Sequence, residues 1–321
     1  MKHRLRNTLA TLLGIVLIGG ILYYMDVGEF LKKIKDISPL WVIISSVIVL
    51  VSYIFRALRL KVYTPLSTKI LFGVVIGGYS LNALLPLKIG DIAMIAMLKK
   101  YGMELKRSIN VIVHCRILDL LALALITAPL SFLYVNEELS VLPQTTGIFL
   151  VVFGFLAIVY LFKKGLFTKI IQIVEGKLQV GLFKKVIKKG VEQAEDYGKL
   201  ITNGNMLALF YSIMSWVMDG LVAYTIAVGL NEEISFGLIL IAVTIANISK
   251  VIPATPGGIG LYEGTMILFL GYFGVSALTA GTIAIVEHLL KNIITIAVGG
   301  SILLKRGLGK TKIGELIENE N

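Results

Sequence analysis

Charged and polar side chains interrupt the apolar runs of this sequence, and side chains of these types could hold an anion. Inside a membrane an ionisable group is costly to bury, and by default it indicates a functional site. Lysine and arginine bind phosphate through charge-assisted hydrogen bonds, helped by backbone N–H groups. We therefore predict a site for a negatively charged headgroup. Its candidate residues form three sets: Asn82, Lys88 and Asp91; His114, Arg116 and Asp119; and Lys250, Glu263, Glu287, His288 and Lys291.

Two short stretches rich in proline and glycine resemble each other and lie among these charges. They read NALLPLKIGD at 82–91 and PATPGGIGLYE at 253–263. Proline and glycine break helices, and lipid tolerates a broken backbone only where protein or a water-filled cavity covers it. Helices that begin at Gly90 and Gly260 would point the positive ends of their dipoles at an anion. The stretches add these residues to the candidate site: Pro86, Gly90, Pro256, Gly257, Gly258 and Gly260.

Each candidate also has a purely structural interpretation. Arg116 and Asp119 are three residues apart, so they share a helix face and can neutralise each other. Asp91 and Glu263 can cap the helices that begin near them. His288 is compatible with a proton carrier or with a hydrogen-bonded packing residue. Structural roles are also open to Glu287 with Lys291, and are predicted for His114 and Cys115.

The composition identifies a membrane protein. Of the 321 residues, 56% are hydrophobic and 16% are charged, and the mean hydropathy is +0.86. A soluble domain of this size would carry about 25% charged residues. Lysines and arginines at the ends of spans explain the net charge of +11, so no nucleic-acid partner is expected. We predict one all-α domain over residues 1–321, a polytopic helix bundle in the cell membrane.

Five basic clusters mark the segments that face the cytoplasm, because lysine and arginine gather on that side of a membrane. The segment 163–203 mixes lysines with apolar residues and is predicted to be a basic amphipathic surface segment, or a solvated loop that only sets orientation. Residues 305–321 form a predicted cytoplasmic tail. The clusters are the N-terminus; Arg56, Arg59, Lys61 and Lys69; Lys99, Lys100, Lys106 and Arg107; Lys163 to Lys199; and Lys305, Arg306, Lys310 and Lys312.

These clusters share one side only if the apolar segments 66–98 and 234–273 each enter and leave on the same side. A limb of ~10 residues covers ~15 Å, half the hydrocarbon thickness, so each segment is predicted to be a re-entrant hairpin. One hairpin opens inward and the other outward, as in an inverted repeat. Both termini are then cytoplasmic. About six full spans are predicted, at 8–25, 39–60, 107–135, 145–162, 204–229 and 276–304.

A constant spacing supports the repeat. Arg116 follows Asp91 by 25 residues, and His288 follows Glu263 by 25 residues. Each hairpin is thus followed by a long span with a buried cationic or imidazole group at the same distance. The pattern indicates two copies of one structural unit.

Four stretches carry a resemblance to a known family. They are FRALRLKVY (55–63), NALLPLKIGDIAMIAMLKK (82–100), HCRILDLLAL (114–123) and PATPGGIGLYEG (253–264). In this order they resemble the flippase-like integral membrane family typified by the N-terminal transmembrane region of lysylphosphatidylglycerol synthase. The resemblance implies that a phosphate-bearing lipid is moved between leaflets, either an aminoacyl-phospholipid or a polyprenyl-phosphate carrier.

The chain departs from the family pattern at four of its positions. Lys88 stands where arginine is frequent, and Asp91 where glutamate is frequent. Cys115 replaces a frequent glutamate, and His288 replaces a frequent arginine. A lysine cannot form the bidentate fork of an arginine, so the departures affect which lipid is bound.

The leading hypothesis is therefore a flippase or scramblase that needs no metal or cofactor. An enzyme is disfavoured, because the sequence lacks the Ser/His/Arg clusters of lipid phosphatases. The alternative is a non-transporting anchor or regulator of a lipid-modifying enzyme or glycosyltransferase. Expected partners are an anionic or phosphate-bearing lipid, a separate lipid-modifying enzyme and a second copy of the chain.

Overall fold

The computed structural model describes residues 2–85, 88–133, 204–250 and 255–305, and every regular element there is helical. This confirms the predicted all-α fold. The predicted span 145–162, the segment 163–203 and residues 306–321 lie outside the described residues. The helices are α1 (Lys2–Met25), α2 (Val27–Lys35), α3 (Pro39–Tyr63), α4 (Thr68–Leu84), α5 (Ile89–Lys100), α6 (Leu105–Leu133), α7 (Asn205–Gly229), α8 (Phe236–Ser249), α9 (Leu261–Tyr272) and α10 (Ala277–Lys305), with a 3₁₀ turn at Pro256–Gly258.

In the described part of the chain, four helices are long and apolar enough to cross a membrane: α3, α6, α7 and α10. A fifth crossing results if α1 and α2 count as one span, although the chain bends by 83° between them. Asp26 makes this bend with a φ of 62°, and its carboxylate accepts a hydrogen bond from the Gly28 N–H at 2.8 Å. The chain is therefore a multi-pass membrane protein, as predicted.

The helix lengths repeat along the chain. Helices α3 to α6 have 25, 17, 12 and 29 residues, and α7 to α10 have 25, 14, 12 and 29. In each half, two short helices form a hairpin between two long helices. The short helices are too short to span ~30 Å of hydrocarbon, so each hairpin turns back part of the way across.

The two halves run in opposite directions. Helix α3 packs most extensively against α7, with Ser45 bonded to Thr225 at 2.7 Å and Tyr63 donating to Asn205 at 3.1 Å. The end of α3 thus lies beside the start of α7. Because each hairpin begins just after α3 or α7 ends, the two hairpins enter from opposite ends of the bundle. This is the predicted inverted repeat.

The halves also exchange contacts. The first limb of one hairpin, α4, packs on the last helix α10, and the corresponding limb α8 packs on α6. Within the first hairpin, α4 and α5 approach so closely that a Cβ on Gly90 would overlap the carbonyl oxygen of Gly78. The first hairpin is therefore held by this glycine contact and by its packing on α10. The second hairpin is held by its packing on α6.

Candidate functional site

A cavity of about 470 Å³ lies where the two hairpin tips meet the middle of the long helices. Leu85 and Lys88 reach it from the first tip, and Thr255, Gly257 and Gly258 reach it from the second. The long helices contribute residues from near their midpoints, so the cavity lies midway along the bundle. These residues include Tyr53 and Arg56 of α3, Arg116, Asp119 and Leu123 of α6, Trp216 and Asp219 of α7, and His288, Lys291 and Thr295 of α10.

The two tips touch each other. Gly257 has a φ of 63°, and a Cβ built on it would lie 3.2 Å from the carbonyl oxygen of Ala83 in the first hairpin. Gly258 has a φ of 80°, and a Cβ there would overlap the side chain of Lys250. Glycine is required at both positions by backbone conformation and by space.

The first tip is held by a network around Asp91. The Gly90 N–H donates to Asn82 Oδ1 at 2.7 Å, and Asn82 Nδ2 donates to Asp91 Oδ1 at 2.9 Å. Arg116 Nε donates to Asp91 Oδ2 at 2.9 Å, and Arg116 Nη1 donates to the Tyr79 hydroxyl at 2.9 Å. Four of the predicted site residues are thus joined in one cluster, and the first 25-residue spacing corresponds to an ion pair.

The second tip repeats this arrangement with different chemistry. Glu263 is buried, and its Oε2 accepts a hydrogen bond from the Gly260 N–H at 2.7 Å. Its Oε1 lies 2.6 Å from His288 Nδ1. The second 25-residue spacing is therefore also a contact. Glu263 caps α9 by accepting a hydrogen bond from a backbone N–H at the start of the helix. This is the structural role considered for it from the sequence.

The predicted placement of Arg56 and Arg59 in a cytoplasmic cluster is wrong. Arg56 is 3% exposed and Arg59 is 4% exposed. Arg56 Nη2 donates to Asp219 Oδ2 at 2.9 Å, and Arg59 forms a buried ion pair with Asp119. Both arginines are drawn into the bundle because carboxylates on α7 and α6 compensate their charge. Asp219 was missed, although a carboxylate in the middle of the run 204–229 could have revealed it.

Two further ion pairs were expected from helical spacing. Arg116 Nη1 lies 3.3 Å from Asp119 Oδ2, but its shorter contacts are to other groups, so this pair is secondary. Lys291 Nζ lies 2.7 Å from Glu287 Oε1 and 3.5 Å from Asp219 Oδ2. Lys291 therefore links its own helix to α7.

Lys88 and Lys250 line the cavity and form no ion pair with any described residue. Lys250 Nζ lies 4.3 Å from the centre of the Tyr262 ring, a cation–π contact that compensates its charge only in part. Lys88 has a left-handed backbone with a φ of 55° and an exposed side chain. Because no carboxylate in the described ranges pairs with them, these two lysines are available to bind an anion.

The remaining predicted residues fall in different places. Pro256 begins the 3₁₀ turn of the second tip, and Pro86 lies outside the described residues. His114 packs against Tyr63, with its Nε2 3.2 Å from the hydroxyl. Across the described ranges, no three His, Cys, Asp or Glu side chains come together as a metal site would require. Lining residues that the sequence did not predict include Tyr53, Arg56, Tyr79, Trp216, Asp219, Asn247, Thr255, Asn292 and Thr295.

Two inverted hairpins around a charged central cavity define a class of polytopic membrane protein built from an internal repeat. The family described as the lysylphosphatidylglycerol synthase TM region matches residues 11–299, and the chain belongs to this family. The resemblance stated from the sequence is thereby confirmed. Family membership indicates a lipid-related membrane role.

Relatives support the same assignment. A UPF0104 membrane protein of Methanothermobacter thermautotrophicus is 29% identical over 115 residues, 35% of this chain and 34% of that protein. A longer alignment to a UPF0104 membrane protein of the same organism is 23% identical over 317 residues, 90% of this chain and 92% of that protein. Glycosyltransferase AglD of Haloferax volcanii is 34% identical over 98 residues, 29% of this chain but only 16% of AglD.

Proposed function

We propose that this protein moves a phosphate-bearing lipid between the two leaflets, with the headgroup in the central cavity and the tail in the bilayer. The observation that carries the proposal is the pair of hairpin tips that meet from opposite ends at a cavity lined by Lys88 and Lys250, which form no ion pair within the described ranges. A phosphate that enters hydrocarbon alone loses its hydration, which costs many kcal/mol. A polar cavity halfway across supplies substitute partners at the point of greatest cost.

The lining suits both ends of such a lipid. Lys88 and Lys250 offer N–H donors to phosphate oxygens, and Arg116 adds a guanidinium on a side chain that is about 30% exposed. Leu85, Leu123 and other apolar side chains cover the rest of the wall. An aliphatic chain can therefore leave the cavity along apolar surface while the phosphate stays bound.

The inverted repeat supplies a route to both leaflets. Because the hairpins enter from opposite ends, tilting one half against the other would open the cavity first to one side and then to the other. The last long helix of each half packs on the hairpin of the other half. A movement of one half therefore shifts both tips together.

The test is translocation by the purified full chain in liposomes. Fluorescent phosphatidylglycerol or phosphatidic acid is added in trace amounts, and dithionite bleaches the probe in the outer leaflet. With protein present, we expect the inner-leaflet probe to be bleached as well. Bleaching that stops at the level of protein-free liposomes for both lipids would contradict the proposal.

Matched substitutions test the site. Lys250→Gln removes a cation of the cavity lining and should slow translocation by about tenfold, because a charge-assisted contact to phosphate is lost. Lys305→Gln makes the same change at an exposed residue at the end of α10 and should have no effect. Equal translocation rates for the two variants would show that Lys250 does not belong to the site.

A second candidate function is that of a membrane anchor or regulator for a lipid-modifying enzyme. The AglD match favours it, because the aligned residues are a small part of a larger protein named as a glycosyltransferase. Co-purification with a cytoplasmic enzyme, together with no translocation in liposomes, would support this role instead of transport.

A further inference from the structure

The charges that line the cavity do not balance. In the described part of the chain, the lining contains five cations and three carboxylates, with His288 and its partner Glu263 taken together as one neutral pair. The carboxylates Asp91, Asp119 and Asp219 are each bound by an arginine. The lining therefore carries a surplus of two positive charges.

The surplus belongs to two particular residues. Lys291 is neutralised by Glu287, which lies behind the wall at 2.7 Å. Lys88 and Lys250 have no carboxylate partner among the described residues. One comes from the first hairpin tip and the other ends the first limb of the second hairpin. A ligand that contacts both tips would meet one unpaired ammonium from each.

Glu263 does not cancel this surplus. Its carboxylate is 3% exposed, does not line the cavity, and is bound by His288 and by the Gly260 N–H. The start of α9 contributes partial positive charge at the same place. The Glu263 carboxylate is thus bound within the second tip, and it forms no ion pair with Lys250 in the described part of the chain.

We propose that the cavity selects lipids whose phosphate carries two negative charges, as in a phosphate monoester, over phosphodiesters that carry one. This inference rests on the proposed function and specifies the substrate class of the same site. A phosphate monoester carries about −1.5 to −2 at pH 7, which matches the combined charge of Lys88 and Lys250. A phosphodiester carries one charge and leaves one of these two lysines without a counter-charge.

The chain contains a reporter for this test. It has two tryptophans. Trp216 lines the cavity, whereas Trp41 packs beside Gly229 at the C-terminal end of α7. In a Trp41→Phe background, the emission of Trp216 reports on the cavity alone. The full chain in detergent is titrated with dihexanoyl phosphatidic acid, dihexanoyl phosphatidylglycerol and inorganic phosphate.

We expect phosphatidic acid to bind roughly tenfold to a hundredfold more tightly than phosphatidylglycerol, because one more charge-assisted contact forms. Lys88→Gln and Lys250→Gln should each weaken phosphatidic acid binding by about tenfold and remove most of the preference. Lys88→Arg and Lys250→Arg keep the charge and should retain the preference, and Lys305→Gln should change nothing.

Other outcomes separate this inference from the proposed function. Equal affinity for the two lipids in the unsubstituted protein would overturn the selectivity, while translocation in liposomes would still support transport. If inorganic phosphate bound as tightly as phosphatidic acid, the cavity would recognise the phosphate alone. The inference that the ligand is a lipid would then be wrong. A preference for phosphatidic acid without translocation of either lipid would support the selectivity and contradict transport.

Discussion

Arg56 shows at the scale of one residue how charge is tolerated at the centre of this bundle. Its Nη1 donates to the Ser52 hydroxyl at 2.7 Å, and its Nη2 donates to Asp219 at 2.9 Å. The rings of Tyr79 and Trp216 lie 5.3 Å from the guanidinium carbon. Carboxylate, hydroxyl and aromatic faces together replace water around the arginine.

Removing one partner of this pair should be worse than removing both. Arg56→Met leaves Asp219 with the more distant Lys291 as its cationic partner among the described residues, and we expect the free energy of unfolding to fall by roughly 3–5 kcal/mol. The double variant Arg56→Met, Asp219→Leu should recover much of this loss, because no uncompensated charge is left. Unfolding in mixed detergent micelles measures both values.

The control for these variants is Lys305→Met. It removes an exposed cation outside the bundle and should leave the free energy of unfolding unchanged. Losses that simply add in the double variant would show that the two side chains act independently, contrary to their hydrogen bonds.

At the scale of elements, the first hairpin depends on contact between two backbones. Gly78 on α4 and Gly90 on α5 lie so close that no side chain fits at Gly90, where Asn82 Oδ1 also approaches. Glycine at a helix crossing allows this approach in membranes. The tip is thereby held at a defined position beside Arg116.

We expect Gly90→Ala to separate the two limbs, because the added Cβ meets backbone and cannot be relieved by a rotamer change. The cost should be roughly 1–3 kcal/mol or more, seen as a lower midpoint of thermal unfolding in detergent. Gly271→Ala lies in the equivalent limb α9, where nothing lies within 4 Å of the added Cβ. If both substitutions lower the midpoint equally, the close approach is not what holds the hairpin.

The sequence was sufficient to predict the hairpins. The predicted hairpin segment 66–98 corresponds to the two limbs Thr68–Leu84 and Ile89–Lys100, because proline and glycine mark the break between its apolar stretches. The segment 26–38 separates the predicted spans 8–25 and 39–60, and no helix was predicted in it, although it contains the helix Val27–Lys35. Its many charges obscure the helical pattern in a nine-residue element.

The site was predicted only where local sequence encodes it. The repeated 25-residue spacing led to Asp91 with Arg116 and Glu263 with His288, and both pairs are in contact. Arg56 and Asp219 are 163 residues apart, and no motif relates them. Long-range pairing depends on how α3 and α7 pack, which composition and spacing do not specify.

At the scale of the molecule, the antiparallel halves place the ends of the two hairpins on opposite sides. Glu104 follows the first hairpin and Glu233 precedes the second, and both side chains are exposed. With Cys115 replaced by alanine, Glu104→Cys and Glu233→Cys each carry a single thiol. The basic clusters near Glu104 predict that it faces the cytoplasm.

A membrane-impermeant maleimide added to intact cells should label Glu233→Cys and leave Glu104→Cys unmodified until the cells are opened. The unsubstituted chain is the control, because Cys115 is buried and should not react. Labelling of both cysteines from the same side would contradict the inverted arrangement of the hairpins.

The distance in sequence between Arg56 and its carboxylate also has a consequence for biosynthesis. An arginine at the centre of a membrane helix costs about 2.5–3.5 kcal/mol on insertion. Ribosomes add about 5–20 residues per second, so the 163 residues from Arg56 to Asp219 take roughly 10–30 s to make. During that interval the newly inserted α3 holds a charge whose partner has not been translated, and the nascent chain depends on the insertion machinery until α7 arrives.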